Sequence, residues 1–293
     1  MKNLIVITGG AGFVGTNLIE RLIKTTNYKI ISIDNYLSGS KKNHINNPKV
    51  KYITGSTRDI EKKLSKYKKK IKALFHFGEF SRIAQSFELL EDLSNSNLLG
   101  STSVINFCKQ NKIRIIYSAT SAAFGNNFVD QNLSPYSFTK TTILNLILNY
   151  SDWFNLKYNV LYFYNVYGGK QILNHKMAAV IGIFESYKEK GKALPIVKPG
   201  TQTRIFTHVD DVIDGCIKVF KNNTIKHLLV RAKESYSILD VAKMFNHKYK
   251  MVKFRQGERF LSSFPKKIRE CKIKTHIGKK KLSVYLKEKY ESS

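Results

Sequence analysis

Residues 8–15 read TGGAGFVG and stand between an apolar, largely β-branched run, NLIVIT, and a segment from Phe13 to Lys24 whose apolar residues recur at helical spacing. The run before the glycines reads as a buried parallel strand. Gly9, Gly12 and Gly15 fall in G-x-x-G-x-x-G spacing. Glycines so placed let the backbone turn tightly and approach a pyrophosphate, which then sits at the positive end of the helix that follows. The next strand-like run, KIISIDN, ends at Asp34, 19 residues past Gly15. That is close to the ~20 expected for a carboxylate that bonds a ribose hydroxyl. Its negative charge would repel a 2′-phosphate, which favours NAD over NADP.

Working outward, further strands are expected at Val50–Thr54, Ala73–Phe77 and Arg114–Ser118, with a helical stretch over Leu89–Gln110 between the last two. A helix from Tyr136 to Phe154 and a strand from Asn159 follow. Strands alternating with helices predict an α/β fold with a doubly wound parallel sheet, whose ligands bind at the carboxyl ends of the strands. After Gly168 the pattern changes to short elements and loops, and a strand-like piece with a helix returns in RIFTHVDDVIDGCIKVF. This predicts a cofactor domain over 1–168 plus about 205–232. A smaller, interleaved mixed α/β substrate lobe takes 169–204 plus about 233–293.

The chain has 293 residues and a formal charge of +29, which raises the question of a nucleic-acid partner. Only nine of its 50 basic residues are arginine, the residue whose planar fork phosphate and base recognition favours. The lysines are scattered, and the densest runs, at Lys66–Lys72 and Lys279–Lys281, lack interleaved aromatic platforms. No nucleic-acid partner is expected. No stretch reaches the ~18 uncharged apolar residues of a membrane span, and a soluble cytoplasmic protein is the expectation. Cys108, Cys216 and Cys271 offer neither a disulfide framework nor metal-ligand spacing, so no metal is expected.

Residues 134–140 read SPYSFTK and put Tyr136 and Lys140 four apart, on one helix face. A phenol of pKa about 10 is a poor base near neutrality. A nearby ammonium favours the phenolate and lowers that pKa. Glycine turn, Asp34 and Tyr136-x-x-x-Lys140, in that order, resemble the extended short-chain dehydrogenase/reductase family with its Rossmann fold, specifically the nucleotide-sugar epimerases and dehydratases. FHFGEFSRIAQSF, SNSNLLGS, YSATSAAFG, YFYNVYG and GTQTRIFTHVDDV are similar to the family's later motifs.

The resemblance implies that Tyr136 takes the proton of a sugar hydroxyl while hydride passes from the same carbon to NAD. Lys140 would also hold the nicotinamide ribose, and Thr120 would bond the reacting oxygen. It places Phe13, Val14, Asn35, Ser56, Thr57 and Phe77 with Gly9, Gly12, Gly15, Asp34 and Lys140 around the cofactor. Asn165, Arg204 and Arg255, with Arg259 as a further candidate, fall with Thr120 and Tyr136 on a nucleotide-diphosphate sugar, since paired arginines suit a diphosphate. His76 and His208 are assigned packing roles near strand ends. A homodimer through helices near Leu98–Gln110 and Ile143–Phe154, and a place in making cell-surface polysaccharide precursors, are also implied.

Where family dehydratases carry an Asp-Glu pair after the threonine, this chain has Ser121 and Ala122. Loss of a 6-hydroxyl needs its own acid and base, so 4-epimerisation is the expected reaction, of a UDP-glucose or UDP-N-acetylglucosamine type of substrate. Ala122 also stands where the decarboxylating members keep a glutamate. Ser262 falls near a site where a bulky residue excludes N-acetyl groups. Glu79 and Ser81 replace the family's usual residues near the cofactor phosphates, and Glu79 as an acid/base keeps a 4,6-dehydratase as the alternative. A non-catalytic NAD-binding protein is a further alternative, against which the retained tyrosine and lysine stand.

Overall fold

The computed structural model describes residues 2–125, 128–173 and 176–291. Eight parallel strands form its main sheet: β1 (Leu4–Thr8), β2 (Lys29–Asp34), β3 (Val50–Thr54), β4 (Ile71–His76), β5 (Arg114–Thr120), β6 (Tyr158–Phe163), β7 (His227–Arg231) and β8 (Lys274–Ile277). Their spatial order is 3-2-1-4-5-6-7-8. The order reverses beside β1, between β1 and β4, and opens the crevice in which such sheets bind ligands. All five residues of β1 are buried because helices cover both faces. On one face α1 (Phe13–Thr25) packs with a later helix, Val209–Lys221, around Leu18, Leu22, Val212 and Cys216. On the other, Ser101–Gln110 and Pro135–Phe154 bury Val104, Phe107, Ile143 and Ile147.

We call these later helices α2 (Ser101–Gln110) and α3 (Pro135–Phe154). Local chemistry explains where α3 begins. Ser134 caps it, accepting the Ser137 amide at 3.1 Å, and Pro135 takes the first turn, where its missing N–H costs nothing. Asn155 ends it in the left-handed region at φ 55°.

The expected helical stretch over Leu89–Gln110 is present as one run from Leu90 to Gln110, with a widened middle. Leu90–Leu93 leads into a π-helical stretch, Ser94–Gly100, before α2 begins. Within it lies Asn97, whose side chain accepts the Phe80 amide at 2.7 Å and donates to the Phe80 carbonyl and to Thr139 Oγ1, both at 3.1 Å. The widened turn thereby pins the loop after β4 against α3.

The smaller lobe has its own core of Phe184, Ile196, Phe206, Val241, Phe245 and Leu286. Within the region read as short elements and loops stands a full helix, Val180–Glu189. Its inner face buries Ile181 and Phe184, while Glu185, 1% exposed, bonds Gln171 and Tyr285 at 2.8 Å each. These partners are distant in sequence, which is why periodicity alone missed it. Another departure is β8, which lies within the stretch expected to form the substrate lobe yet pairs with β7 at the edge of the main sheet.

Candidate active site

The carboxyl ends of the central strands and the smaller lobe enclose a cleft of about 1160 Å³. This exceeds the ~300–1,000 Å³ of a typical small-molecule site and has room for two nucleotides. On its first wall the glycine turn is packed too tightly for any side chain. A Cβ on Gly15 would lie 2.2 Å from the Gly9 carbonyl oxygen, and one on Gly9, whose φ is +72°, would lie 2.8 Å from the Gly78 nitrogen. Gly12 caps α1 with no side-chain bond, leaving the positive helix end to face the cleft at Phe13, Val14 and Gly15.

Asp34 closes this wall. Its Oδ2 accepts the Ala11 amide at 2.9 Å and its Oδ1 the Tyr36 amide at 2.8 Å. Burial pushes its carboxyl above the usual range, against the pull of those two amides. Asn35 and Phe77 also line the cleft. These features fit a dinucleotide: a backbone cradle that a methyl group would fill, and a carboxylate at the strand end. Ser56 and Thr57 do not fit the expectation made of them. The Ser56 hydroxyl accepts the Arg58 amide at 3.1 Å, Thr57 is buried against Gly100, and neither lines the cleft.

The opposite wall carries the groups expected to react. Tyr136, 8% exposed, lines the cleft from the first turn of α3, and Lys140 stands one turn on. Lys140 Nζ bonds Glu79 and the Ser118 carbonyl, the latter at 2.5 Å, and lies 4.4 Å from the centre of the Tyr117 ring. Thr120 Oγ1 accepts the Ala122 amide at 3.2 Å. A hydroxyl that accepts there still has its hydrogen to offer to an oxygen in the cleft.

The expected substrate residues fare unequally. Asn165 lines the cleft in the left-handed region at φ 29° and donates to the Ile205 carbonyl at 2.9 Å. Arg204 lines it while paired with Glu258, and burial pulls its guanidinium below the usual range. Arg255 and Ser262 line it as well, with Arg255 exposed. Arg259 lines it too, while donating to the carbonyls of Ala122 at 2.7 Å and Asp130 at 2.5 Å.

Arg82 escaped the sequence reading. It faces the cleft near Tyr136, held by the Met177 carbonyl at 2.5 Å and the Ser81 carbonyl at 2.7 Å, and it pairs with no carboxylate among the described residues. Its signal was a lone arginine in FSRIAQ. His208 caps the helix Val209–Lys221 and packs on Tyr167.

A model of the NAD dependent epimerase/dehydratase family matches residues 5–231. The chain belongs to that family, and NAD is its cofactor. Over 221 residues it is 32% identical to a putative UDP-glucose 4-epimerase of Methanocaldococcus jannaschii, covering 71% of this chain and 70% of that protein. It is 25% identical over 255 residues to UDP-glucuronic acid decarboxylase 3 of Arabidopsis thaliana, covering 81% and 72%. Among solved structures, a UDP-N-acetylglucosamine 4-epimerase from Methanobrevibacter ruminantium superposes with a TM-score of 0.78 at 25% identity, covering 98% of this chain and 92% of that one.

Proposed function

We propose that the protein is an NAD-dependent 4-epimerase of a nucleotide-diphosphate sugar. One observation carries this choice within the family: among the described residues, the carboxylates lining the cleft are Asp34, Glu79 and Glu258, and each is already engaged. Asp34 holds two amides, Glu79 binds Lys140, and Glu258 binds Arg204. Ser121 and Ala122, beside Thr120, supply no acid or base. Elimination of a hydroxyl or of carbon dioxide therefore finds no free carboxylate to serve it, whereas epimerisation needs only one proton-transfer group.

NAD, when bound, supplies the hydride acceptor. Tyr136 takes the proton from the C4 hydroxyl and later returns it, Lys140 favours the phenolate, and Thr120 donates to the C4 oxygen. Arg204 and Arg255 hold the diphosphate, and Asn165 contacts the substrate beside them. Ser262 leaves room for an N-acetyl group, so UDP-N-acetylglucosamine joins UDP-glucose as a candidate.

Proton NMR of the purified protein with each of these sugars is the test. The account expects the galacto epimer to accumulate. A 4-keto-6-deoxy product would instead assign the dehydratase reaction and make Glu79 its acid/base.

A second proposal concerns assembly. Leu99, Trp153 and Phe154 are exposed at 50%, 62% and 49% near the ends of α2 and α3, the helices through which a homodimer would form. A second copy is the partner we propose for this face.

A further inference from the structure

Behind Lys140 lies a carboxylate whose every contact is a donor. The side chains of Lys140 and Glu79 are 5% and 3% exposed. An ammonium has three N–H groups. One goes to Glu79 and one to the Ser118 carbonyl, which leaves one for the cleft. Glu79 Oε1 accepts from Ser101 Oγ at 2.7 Å and from the Tyr117 hydroxyl at 3.2 Å.

The chain of bonds behind Ser101 has a fixed direction. Thr8 Oγ1 already accepts the amides of Phe77 at 3.2 Å and Gly78 at 3.1 Å, so its own hydrogen turns to His76 Nδ1, 2.7 Å away. That leaves the His76 proton on Nε2, from which it is donated to Ser101 Oγ at 2.9 Å, and Ser101 in turn donates to Glu79. Burial keeps the imidazole neutral, with its pKa pushed down to about 4. Thr8, His76 and Ser101 together thus present a hydrogen to the carboxylate.

We propose that Glu79 is a positioning residue that sets the charge felt by Tyr136. Its carboxylate fixes Lys140 in place and partly cancels the lysine's pull on the phenol. The groups facing the carboxylate are Lys140 from α3, Tyr117 from β5 and His76 from β4, while Tyr136 and Arg82 lie toward the cleft. Its field already shows on Tyr117, whose hydroxyl is pushed well up, first by burial and then by Glu79. The inference rests on Tyr136 as the proton acceptor, which the proposed epimerisation requires.

Ultraviolet difference titration of the NAD-loaded protein against its Tyr136→Phe variant reads ionisation of Tyr136 without turnover. In Glu79→Gln the oxygen that accepts from Ser101 and Tyr117 is kept and the charge is gone. Lys140 remains charged on the Ser118 carbonyl and the Tyr117 ring. The phenolate midpoint, and with it the acid limb of the kcat profile, is expected to fall by about 1 pH unit. Glu79→Ala adds no new donor and makes the same prediction, so either variant suffices, and Glu79→Asp stays near the wild-type midpoint. A midpoint that stays put or rises when the charge is removed would overturn the proposal. Because the titration needs no substrate, a failure of the epimerase reading shows separately, as absence of epimer from the wild type.

Discussion

On the cofactor wall of the cleft, contacts are made by backbone: a glycine turn, a bare helix end and one carboxylate held by two amides. On the opposite wall they are made by side chains from β5, α3, the loop after β4 and the smaller lobe, many of which bind each other before any ligand arrives. A backbone site is fixed by the chain's own stereochemistry within a few residues. A side-chain site is fixed by tertiary packing and can be retuned one residue at a time. That difference gives one wall a single ligand class and lets the other vary among relatives with different reactions.

The sharpest way to separate the walls is Tyr136→Phe. It removes the proton acceptor while leaving the glycine turn untouched, so turnover is expected to fall ~10²–10⁴-fold with NAD still bound, as read by kcat and by cofactor absorbance. Loss of NAD along with activity would break the separation. The reciprocal variant is Gly15→Ala. Its methyl group would press on the Gly9 carbonyl from 2.2 Å, and overpacking of this kind costs about 1–3 kcal/mol. Denaturant unfolding is expected to show that loss, and equilibrium dialysis a matching loss of NAD. An unchanged NAD affinity would mean that the turn is not the cradle.

Acid stability probes the scaffold beneath both walls. Burial keeps His76 and His227 neutral, each pushed down to about 4 from the ordinary imidazole value of about 6.5 by desolvation. The His227 nitrogens bond the hydroxyls of Tyr158 at 3.1 Å and Tyr162 at 2.9 Å. With folded pKa values below the unfolded ones, their contribution is complete above pH 6.5. It is lost as pH falls from there toward 4, by up to about tenfold in the folding constant per pH unit for each histidine. Urea midpoints at pH 7 and pH 5 read the slope, and His227→Gln is expected to remove about half of it. The smallest effect on the cleft is expected from Trp153→Glu, which lies outside it. Light scattering should show a monomer for this variant and a dimer for the wild type, with little change in NAD binding.

Legibility in the sequence follows the same division. The glycine turn, Asp34 and the Tyr136/Lys140 pair were readable because each depends on spacing within one strand or helix. The parallel sheet was readable because its strands are continuous apolar runs. Glu79 could be noticed but not interpreted, since its partners Ser101, Tyr117 and Lys140 lie 22, 38 and 61 residues away. Arg259 matched a substrate position by sequence and lines the cleft, but two of its donors are already on the Ala122 and Asp130 carbonyls, which sequence does not record. Ser56 and Thr57 missed the cleft because one caps a turn and the other packs against Gly100. The π-helical widening before α2 lies where Asn97 reaches the loop after β4, a contact no periodicity records.

The central claim is that one proton shuttles through Tyr136 and no carbon–hydrogen bond is opened to solvent by a carboxylate. Mass spectrometry of the product formed in deuterium oxide tests it most directly. The account predicts a product of unchanged mass after back-exchange of hydroxyl protons, with C4 inverted. A product that has lost water and gained a carbon-bound deuterium would contradict it.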